Sequence, residues 1–131
     1  MKKNSIPPLP DGELDVMQAV WACAPPVTRA QIHEILENTH PMAPTTLLTV
    51  LSRLAKKGFL RIEKATEETG DRFSRYIPLV SQAEYLASQS RRFFDRLCGG
   101  SLPAFAEALC DSGLSREELE ELRRLLKEDA I

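Results

Sequence analysis

The sequence predicts a mainly α-helical protein with a small β-hairpin. Three short amphipathic helical patterns fill residues 11–57, and two partly alternating, strand-like segments follow them. From residue 81 the apolar residues return to helical spacing. Helix-helix-helix-hairpin is the order of a winged helix-turn-helix. We therefore expect an N-terminal winged-helix domain at residues 1–80 and a C-terminal helical region at residues 81–131.

The first two helices are bounded by turn and capping signals. Four apolar residues recur at helical spacing between the predicted N-cap Asp11 and the stop at Pro25-Pro26. They are Leu14, Met17, Val20 and Trp21. Thr28 and Gln31 have the spacing of a capping box, in which each side chain bonds the backbone N–H of the other. The second helix is therefore expected to begin after Thr28 and to end near Asn38.

The third predicted helix has one apolar face and one face of hydroxyl and cationic residues. Pro44 suits its first position, where no backbone N–H is needed, and Gly58 suits the position just past its end. The apolar stripe consists of Leu47, Val50, Leu51 and Leu54. The opposite face carries Thr45, Thr49, Ser52 and Lys56, flanked by Thr46 and Arg53.

This polar face suits the major groove of DNA. Short Thr and Ser side chains let the helix backbone come close to the bases and offer hydroxyls, and threonine also offers a methyl group to thymine. We expect base contacts from Thr45, Thr46 and Thr49, and contacts to bases or phosphates from Ser52. We expect Arg53, Lys56 and Lys57 to lie near the phosphates. The alternative is an ordinary solvated helix face.

The charge of the chain is divided between two regions of opposite sign. The whole chain has 17 Lys+Arg and 19 Asp+Glu, a net charge of −2. Between residues 44 and 64, however, five Lys+Arg accompany a single acid, whereas residues 81–131 hold 7 Lys+Arg and 10 Asp+Glu. Because phosphate neutralisation depends on local clusters of cations, the acidic total does not exclude DNA.

The predicted hairpin is the candidate wing, with strands at residues 59–64 and 72–77. Its cations, which can contact phosphates or an adjacent minor groove, are Arg61, Lys64, Arg72 and Arg75. The acids at its tip would repel DNA, and they are Glu67, Glu68 and Asp71. We therefore expect phosphate contacts near the base of the hairpin, at Arg61 and Arg75. The alternative is that these charges keep an edge strand soluble.

The region from residue 81 is expected to form a dimer. Capping boxes at Ser81-Glu84 and Ser115-Glu118 begin two of its helices. About fifty residues this rich in apolar side chains bury them poorly alone, and a symmetric partner copy solves the problem. The candidate dimerisation residues are Leu86, Phe93, Phe94, Leu97, Phe105, Leu109, Leu119, Leu122 and Leu126. The alternative is that this region folds back on the winged helix in a monomer.

The sequence contains no motif for catalysis, metal binding or membrane insertion. It lacks GxSxG, HExxH and a phosphate-binding loop, and its three cysteines form no CxxC pair. His33 and His40 have no Cys, Asp or Glu neighbours at ligand spacing, and no apolar run approaches the roughly 20 residues that span a membrane. We predict a cytoplasmic protein that is not an enzyme and has no cofactor or metal. A redox or catalytic role for Cys98 or Cys110 is a minor alternative to packing.

The chain also resembles the penicillinase-repressor family of bacterial regulators, which includes the methicillin-resistance and copper-transport repressors. The resemblance covers nearly the whole chain, from residue 9 to residue 128. It rests on Glu13, Met17 and Trp21, on Thr46-x-x-Thr49-x-x-x-Arg53-Leu54-x-Lys56-Lys57-Gly58, on Tyr76-Ile77-Pro78-Leu79-Val80-Ser81 and on Gly99-Gly100-Ser101. The resemblance implies a homodimeric winged-helix repressor that binds a palindromic operator in double-stranded DNA and is relieved by an inducing protein or signal.

Three departures from the family pattern bear on specificity and induction. Leu48 occupies a position on the third helix that is often basic in the family. The Asn-Phe bond cut in the antibiotic-resistance repressors aligns with Glu107-Ala108, and the CxCxxxxCxC motif of the copper repressors is absent. Neither that cleavage nor direct copper sensing is therefore expected. The main hypothesis is a sequence-specific transcriptional repressor, and the alternative is a winged-helix module that binds another protein without specific DNA binding.

Overall fold

The structure, a computed structural model, describes residues 6–64 and 74–129. Its helices are α1 (Asp11–Trp21), α2 (Arg29–Leu36), α3 (Pro44–Lys56), α4 (Gln82–Arg92), α5 (Leu102–Asp111) and α6 (Arg116–Asp129). Its strands are β1 (Val27–Thr28), β2 (Leu60–Glu63) and β3 (Arg75–Pro78). The predicted mainly α-helical class with a small hairpin is confirmed. The chain divides between Gln89 and Ser90 into two compact units, called here the first and the second unit.

The core of the first unit is formed by the apolar stripes of its helices. The periodic side chains of α1, α2 and α3 point inward because helical residues three and four apart share a face. The fully buried ones are Val16, Met17, Val20, Ile32, Leu36, Leu47, Leu51 and Leu54. The predicted stripe of α3 is therefore confirmed, with Val50 also buried.

Of the two predicted capping signals at the starts of α1 and α2, the structure contains one. The Thr28 hydroxyl accepts from the Gln31 N–H at 3.2 Å and the Gln31 amide oxygen accepts from the Thr28 N–H at 2.9 Å, so the capping box of α2 is confirmed. Helix α1 begins at Asp11, with Pro10 as its N-cap and no side-chain cap, so the predicted N-cap role of Asp11 is wrong. Asp11 instead contributes negative charge to the first turn, where the helix dipole favours it.

Gly58 ends α3 and turns the chain into the sheet. Its φ of 84° lies in the left-handed region that glycine adopts without strain. The next residue, Phe59, is buried and donates its N–H to the carbonyl of Leu54 at 3.0 Å. Strand β2 then begins at Leu60.

The described part of the chain forms a three-stranded antiparallel sheet of order β1-β3-β2. In the expected hairpin, Arg61 of β2 lies opposite Ile77 of β3. The two-stranded expectation is incomplete because β1 adds to the other edge of β3, with Val27 opposite Tyr76. The predicted tip acids Glu67, Glu68 and Asp71 and the wing cation Arg72 lie outside the described residues.

The N-terminal segment and the first turns of α4 also belong to the first unit. Ile6 and Leu9 are buried, and the Leu9 N–H donates to the Tyr85 hydroxyl at 2.8 Å. The Ser88 hydroxyl donates to the Ile6 carbonyl at 3.3 Å. Residues 82–89 of α4 are thus held by the N-terminal segment, and the division of the chain falls later than the boundary expected after residue 80.

The second unit contains a short π-helical segment, Phe93–Leu97, and the helices α5 and α6. The ring of Phe105 packs against Phe93 and Phe94, with ring centroids 5.7 and 5.9 Å apart. The predicted capping box of α6 is confirmed, since Glu118 donates its N–H to the Ser115 hydroxyl at 3.1 Å. Within one chain, none of residues 90–128 is fully buried.

Candidate nucleic-acid interface

One face of α3 is exposed, as its sequence pattern predicts. Burial of the apolar stripe turns the remaining side chains of this helix outward. Apart from Pro44 at the first position, the exposed residues are Thr45, Thr46, Leu48, Thr49, Ser52, Arg53 and Lys56. Every residue of α3 that was predicted to contact DNA therefore lies on this face, which we call the α3 face.

The hydroxyl of Thr49 is already engaged within the helix. It donates to the backbone carbonyl of Thr45, one turn earlier, at 3.1 Å. Back-bonding of this kind is common for threonine in helices. What Thr49 offers to a partner is therefore its methyl group and an oxygen that accepts, rather than a free hydroxyl donor.

Arg53 and Lys56 give the C-terminal half of the α3 face its positive charge. Both are exposed, and neither side chain forms a hydrogen bond or ion pair with the residues described. Both also lie in the last turn of α3, where cations complement the helix dipole. Such side chains are free to take phosphate oxygens as partners without first breaking an internal bond.

Lys57, directly after α3, forms a contact within the first unit. It caps α3, and its ammonium group donates to the Glu13 carboxylate of α1. The side chain of Glu13 is only 10% exposed. The ammonium group of Lys57 is thus bonded to a nearly buried carboxylate of the first unit. This contact gives no support to the prediction that Lys57 lies near phosphates.

The described part of the wing carries cations close to α3 in sequence. Arg61 and Lys64 are exposed, and Arg61 pairs with Glu63 of the same strand at 3.1 Å. Both partners of this pair are at least half exposed, so the pair is weak and leaves Arg61 able to exchange partners. Arg75 is half-buried in β3 and lies opposite Glu63 in the register of the sheet.

The candidate dimerisation residues lie in both units. Leu86 is an exposed side chain of the first unit, with 57% of its surface accessible. In the second unit, Phe93, Leu97 and Leu126 are exposed. The remaining candidates are half-buried, and they are Phe94, Phe105, Leu109, Leu119 and Leu122.

Both histidines lie against surface carboxylates. His40 Nδ1 lies 2.8 Å from the Asp15 carboxylate, and His33 Nδ1 lies 3.5 Å from that of Glu37. Among residues 6–64 and 74–129, no group of three or more His, Cys, Asp or Glu has metal-site geometry. Within the same ranges, no helix is both long and apolar enough to cross a membrane.

Comparison with known proteins points to one family. The family model described as penicillinase repressor matches residues 9–128. A protein named penicillinase repressor, from Bacillus licheniformis, is 35% identical over 98% of this chain and 94% of its own length. The methicillin resistance regulatory protein MecI of Mammaliicoccus sciuri is 27% identical over 87% of this chain and 89% of its own length.

One solved structure is also similar to the chain. It is the solution structure of the monomeric form of Bacillus licheniformis BlaI in complex with the blaP half-operator. It is 31% identical, covers 61% of this chain and 90% of its own, and has a TM-score of 0.48. The relatives named here are repressors and regulatory proteins, not enzymes. The family model spans most of the sequence, and this chain belongs to the penicillinase repressor family.

Proposed function

We propose that this protein is a cytoplasmic transcriptional repressor that binds a palindromic operator in double-stranded DNA as a homodimer. The observation that carries the proposal is the α3 face, which presents threonines and serine together with Arg53 and Lys56, two cations that have no partner among residues 6–64 and 74–129. Membership of the penicillinase repressor family supports the same function.

The two halves of the α3 face suit different contacts, bases in the N-terminal half and phosphates in the C-terminal half. Thr45, Thr46 and Thr49 occupy the N-terminal half, where short side chains bring the backbone close to base edges. Arg53 and Lys56 follow one and two turns later and take phosphates, which position the helix without reading sequence. Ser52 lies between the two groups and contacts a base or a phosphate.

The wing adds phosphate contacts beside the helix. Arg61 and Arg75 are our candidates, because they belong to paired strands that follow α3 directly. Arg61 has to exchange Glu63 for a phosphate, which costs little at an exposed site.

The apolar side chains that the second unit leaves exposed support a homodimer. None of residues 90–128 is fully buried, and Leu97, Leu102 and Leu126 are 77%, 70% and 61% exposed. Exposed leucines on this scale are typical of a surface that another protein covers. A second copy, related by a two-fold axis, covers them symmetrically and presents two α3 helices to one duplex.

Release from DNA by an inducing protein or signal is part of the same proposal. The bond between Glu107 and Ala108 lies inside α5, where the backbone is hydrogen-bonded within the helix. Because Glu107 and Ala108 stand where the antibiotic-resistance repressors have the cleaved Asn-Phe pair, the proposal does not include cleavage at this bond.

The proposal is tested by selecting duplexes from a random-sequence pool with the full-length protein and sequencing those that remain bound. We expect enrichment of an inverted repeat whose halves lie about one helical turn apart or a multiple of it. Enrichment of a single unrepeated element would contradict the dimer. Absence of any enriched sequence would contradict specific DNA binding and favour a protein-interaction module.

A further inference from the structure

We propose that Leu48 is a specificity-determining residue, which reads the 5-methyl group of a thymine in the major groove. The inference rests on the proposed binding of duplex DNA by α3, and it names the base chemistry that the α3 face selects.

Leu48 lies outside the apolar stripe of its own helix. Its side chain is 41% exposed, whereas Leu47 and Leu51 of α3 are at most 1% exposed. The residues one turn before and after it, Thr45 and Ser52, are exposed hydroxyl residues. Leu48 is therefore an apolar side chain in the middle of a polar face, and the fold of the first unit does not cover it.

Thr49 makes the area around Leu48 more apolar than the sequence indicates. Its hydroxyl proton is used by the Thr45 carbonyl, at 3.1 Å. The adjacent pair Leu48 and Thr49 thus presents an isobutyl group and a methyl group to whatever approaches α3. No hydrogen-bond donor is available from either side chain.

The four bases present different chemical groups to such an apolar surface in the major groove. Adenine and guanine present donors and acceptors there, and cytosine presents an amino donor beside a C5–H that lacks a methyl group. An apolar side chain against these bases leaves their polar groups without partners. Thymine alone presents a methyl group, which gains by leaving water against another apolar group. A leucine at this position therefore favours thymine over the other three bases.

The test uses the duplex that the full-length protein selects from a random pool. Each thymine is replaced in turn by deoxyuridine, which removes the methyl group and leaves the hydrogen-bonding edge unchanged. We expect an affinity loss of about fourfold at one or two thymines of each half-site, the amount for one buried methyl group. In Leu48→Ala, we expect the loss at one of these thymines to disappear.

The matched control is Leu79→Ala, which truncates another exposed leucine of the first unit, outside α3. It should keep the full deoxyuridine loss at every position. Because Leu48 is exposed, Leu48→Ala should also keep the melting temperature of the parent chain.

The outcomes separate this inference from the proposed function. Binding of a selected duplex with no deoxyuridine loss, or with equal losses in the parent chain and Leu48→Ala, overturns the role of Leu48 and leaves operator binding standing. Failure to select any duplex overturns both.

Discussion

Lys57, at the C-terminal cap of α3, donates a hydrogen bond to the Glu13 carboxylate of α1. The two residues are 44 positions apart in the sequence, and their side chains are 36% and 10% exposed. The pair ties the end of the α3 face to the core of the first unit. It also engages the ammonium group of Lys57, the cation that follows the α3 face.

The two halves of this pair should contribute unequally to stability. Lys57→Ala leaves the buried carboxylate without its partner, and we expect the free energy of unfolding to fall by about 2–3 kcal/mol. Glu13→Gln keeps the volume and an oxygen that can accept, while Lys57 reaches water, so the loss should be about 1 kcal/mol. Urea denaturation measures both values.

The matched control for Lys57 is its neighbour Lys56, which is exposed and unpaired within the described residues. Lys56→Ala should change the free energy of unfolding by less than about 0.5 kcal/mol. Equal losses in Lys56→Ala and Lys57→Ala would show that the contact with Glu13 contributes nothing to the fold.

The contact of Lys57 with Glu13 could not be predicted from the sequence, unlike the pattern of α3. Helical spacing correctly predicts the buried stripe of α3 and the exposed positions of Arg53 and Lys56, because these depend on local periodicity alone. The same pattern groups Lys57 with those cations. Only tertiary packing brings the Glu13 carboxylate, from another helix, against it.

The sheet was predicted in part for a similar reason. The two longer strands carry enough alternating residues to be recognised, and the capping box identifies the start of α2. Strand β1 has only two residues, Val27 and Thr28, too few to show a period. Its existence depends on pairing with Tyr76 and Arg75, which are distant in sequence.

The burial of the N-terminal segment could not be predicted from the sequence either. Its prolines indicate an irregular chain, and nothing local indicates that Ile6 and Leu9 are buried. Both side chains belong to the core of the first unit. Two hydrogen bonds to α4 hold the segment there: the Tyr85 hydroxyl accepts from the Leu9 N–H, and the Ser88 hydroxyl donates to the Ile6 carbonyl. The exposed polar face of α3 was predictable from helical spacing, but the engagement of the Thr49 hydroxyl was not, since it depends on a rotamer.

Tyr76 should make the protein less stable in alkaline solution. Burial raises the pKa of its hydroxyl above the ordinary value of 10.0, and the positive charge of Arg29 offsets this only in part. The folded chain therefore holds this proton more tightly than the unfolded chain. The resulting stabilisation is complete below about pH 10 and is lost as the pH rises through the folded-state pKa.

Urea denaturation between pH 8 and pH 11 measures this effect. We expect the free energy of unfolding to fall at the alkaline end, and to fall less steeply in Tyr76→Phe, which has no proton to lose. The same alkaline slope in both proteins would exclude Tyr76 as its cause.

Leu126 should be required for the dimer. It is 61% exposed in a single chain, so Leu126→Glu does not disturb the packing of its own helix. Burial of the new carboxylate between two copies would be costly, and we expect sedimentation to show a monomer that binds the selected duplex more weakly. Leu122→Glu, at a half-buried neighbour one turn away, should act in the same direction.

Leu79→Glu is the control for this substitution, because Leu79 is an exposed leucine, 52% accessible, that is not among the candidate dimerisation residues. It should sediment like the parent chain. A dimer that persists in Leu126→Glu would remove α6 from the interface.

The most direct test of the account is the salt dependence of duplex binding in Arg53→Ala, with Arg91→Ala as the control. Arg91 is an exposed arginine that pairs with Asp95 in the second unit, at 2.9 Å. Fluorescence anisotropy with the selected duplex at several salt concentrations gives the affinity and its slope against log salt. If Arg53 of the α3 face holds a phosphate, Arg53→Ala binds more weakly and its slope decreases by about one, while Arg91→Ala matches the parent chain. An unchanged affinity and slope in Arg53→Ala would contradict the placement of α3 on DNA.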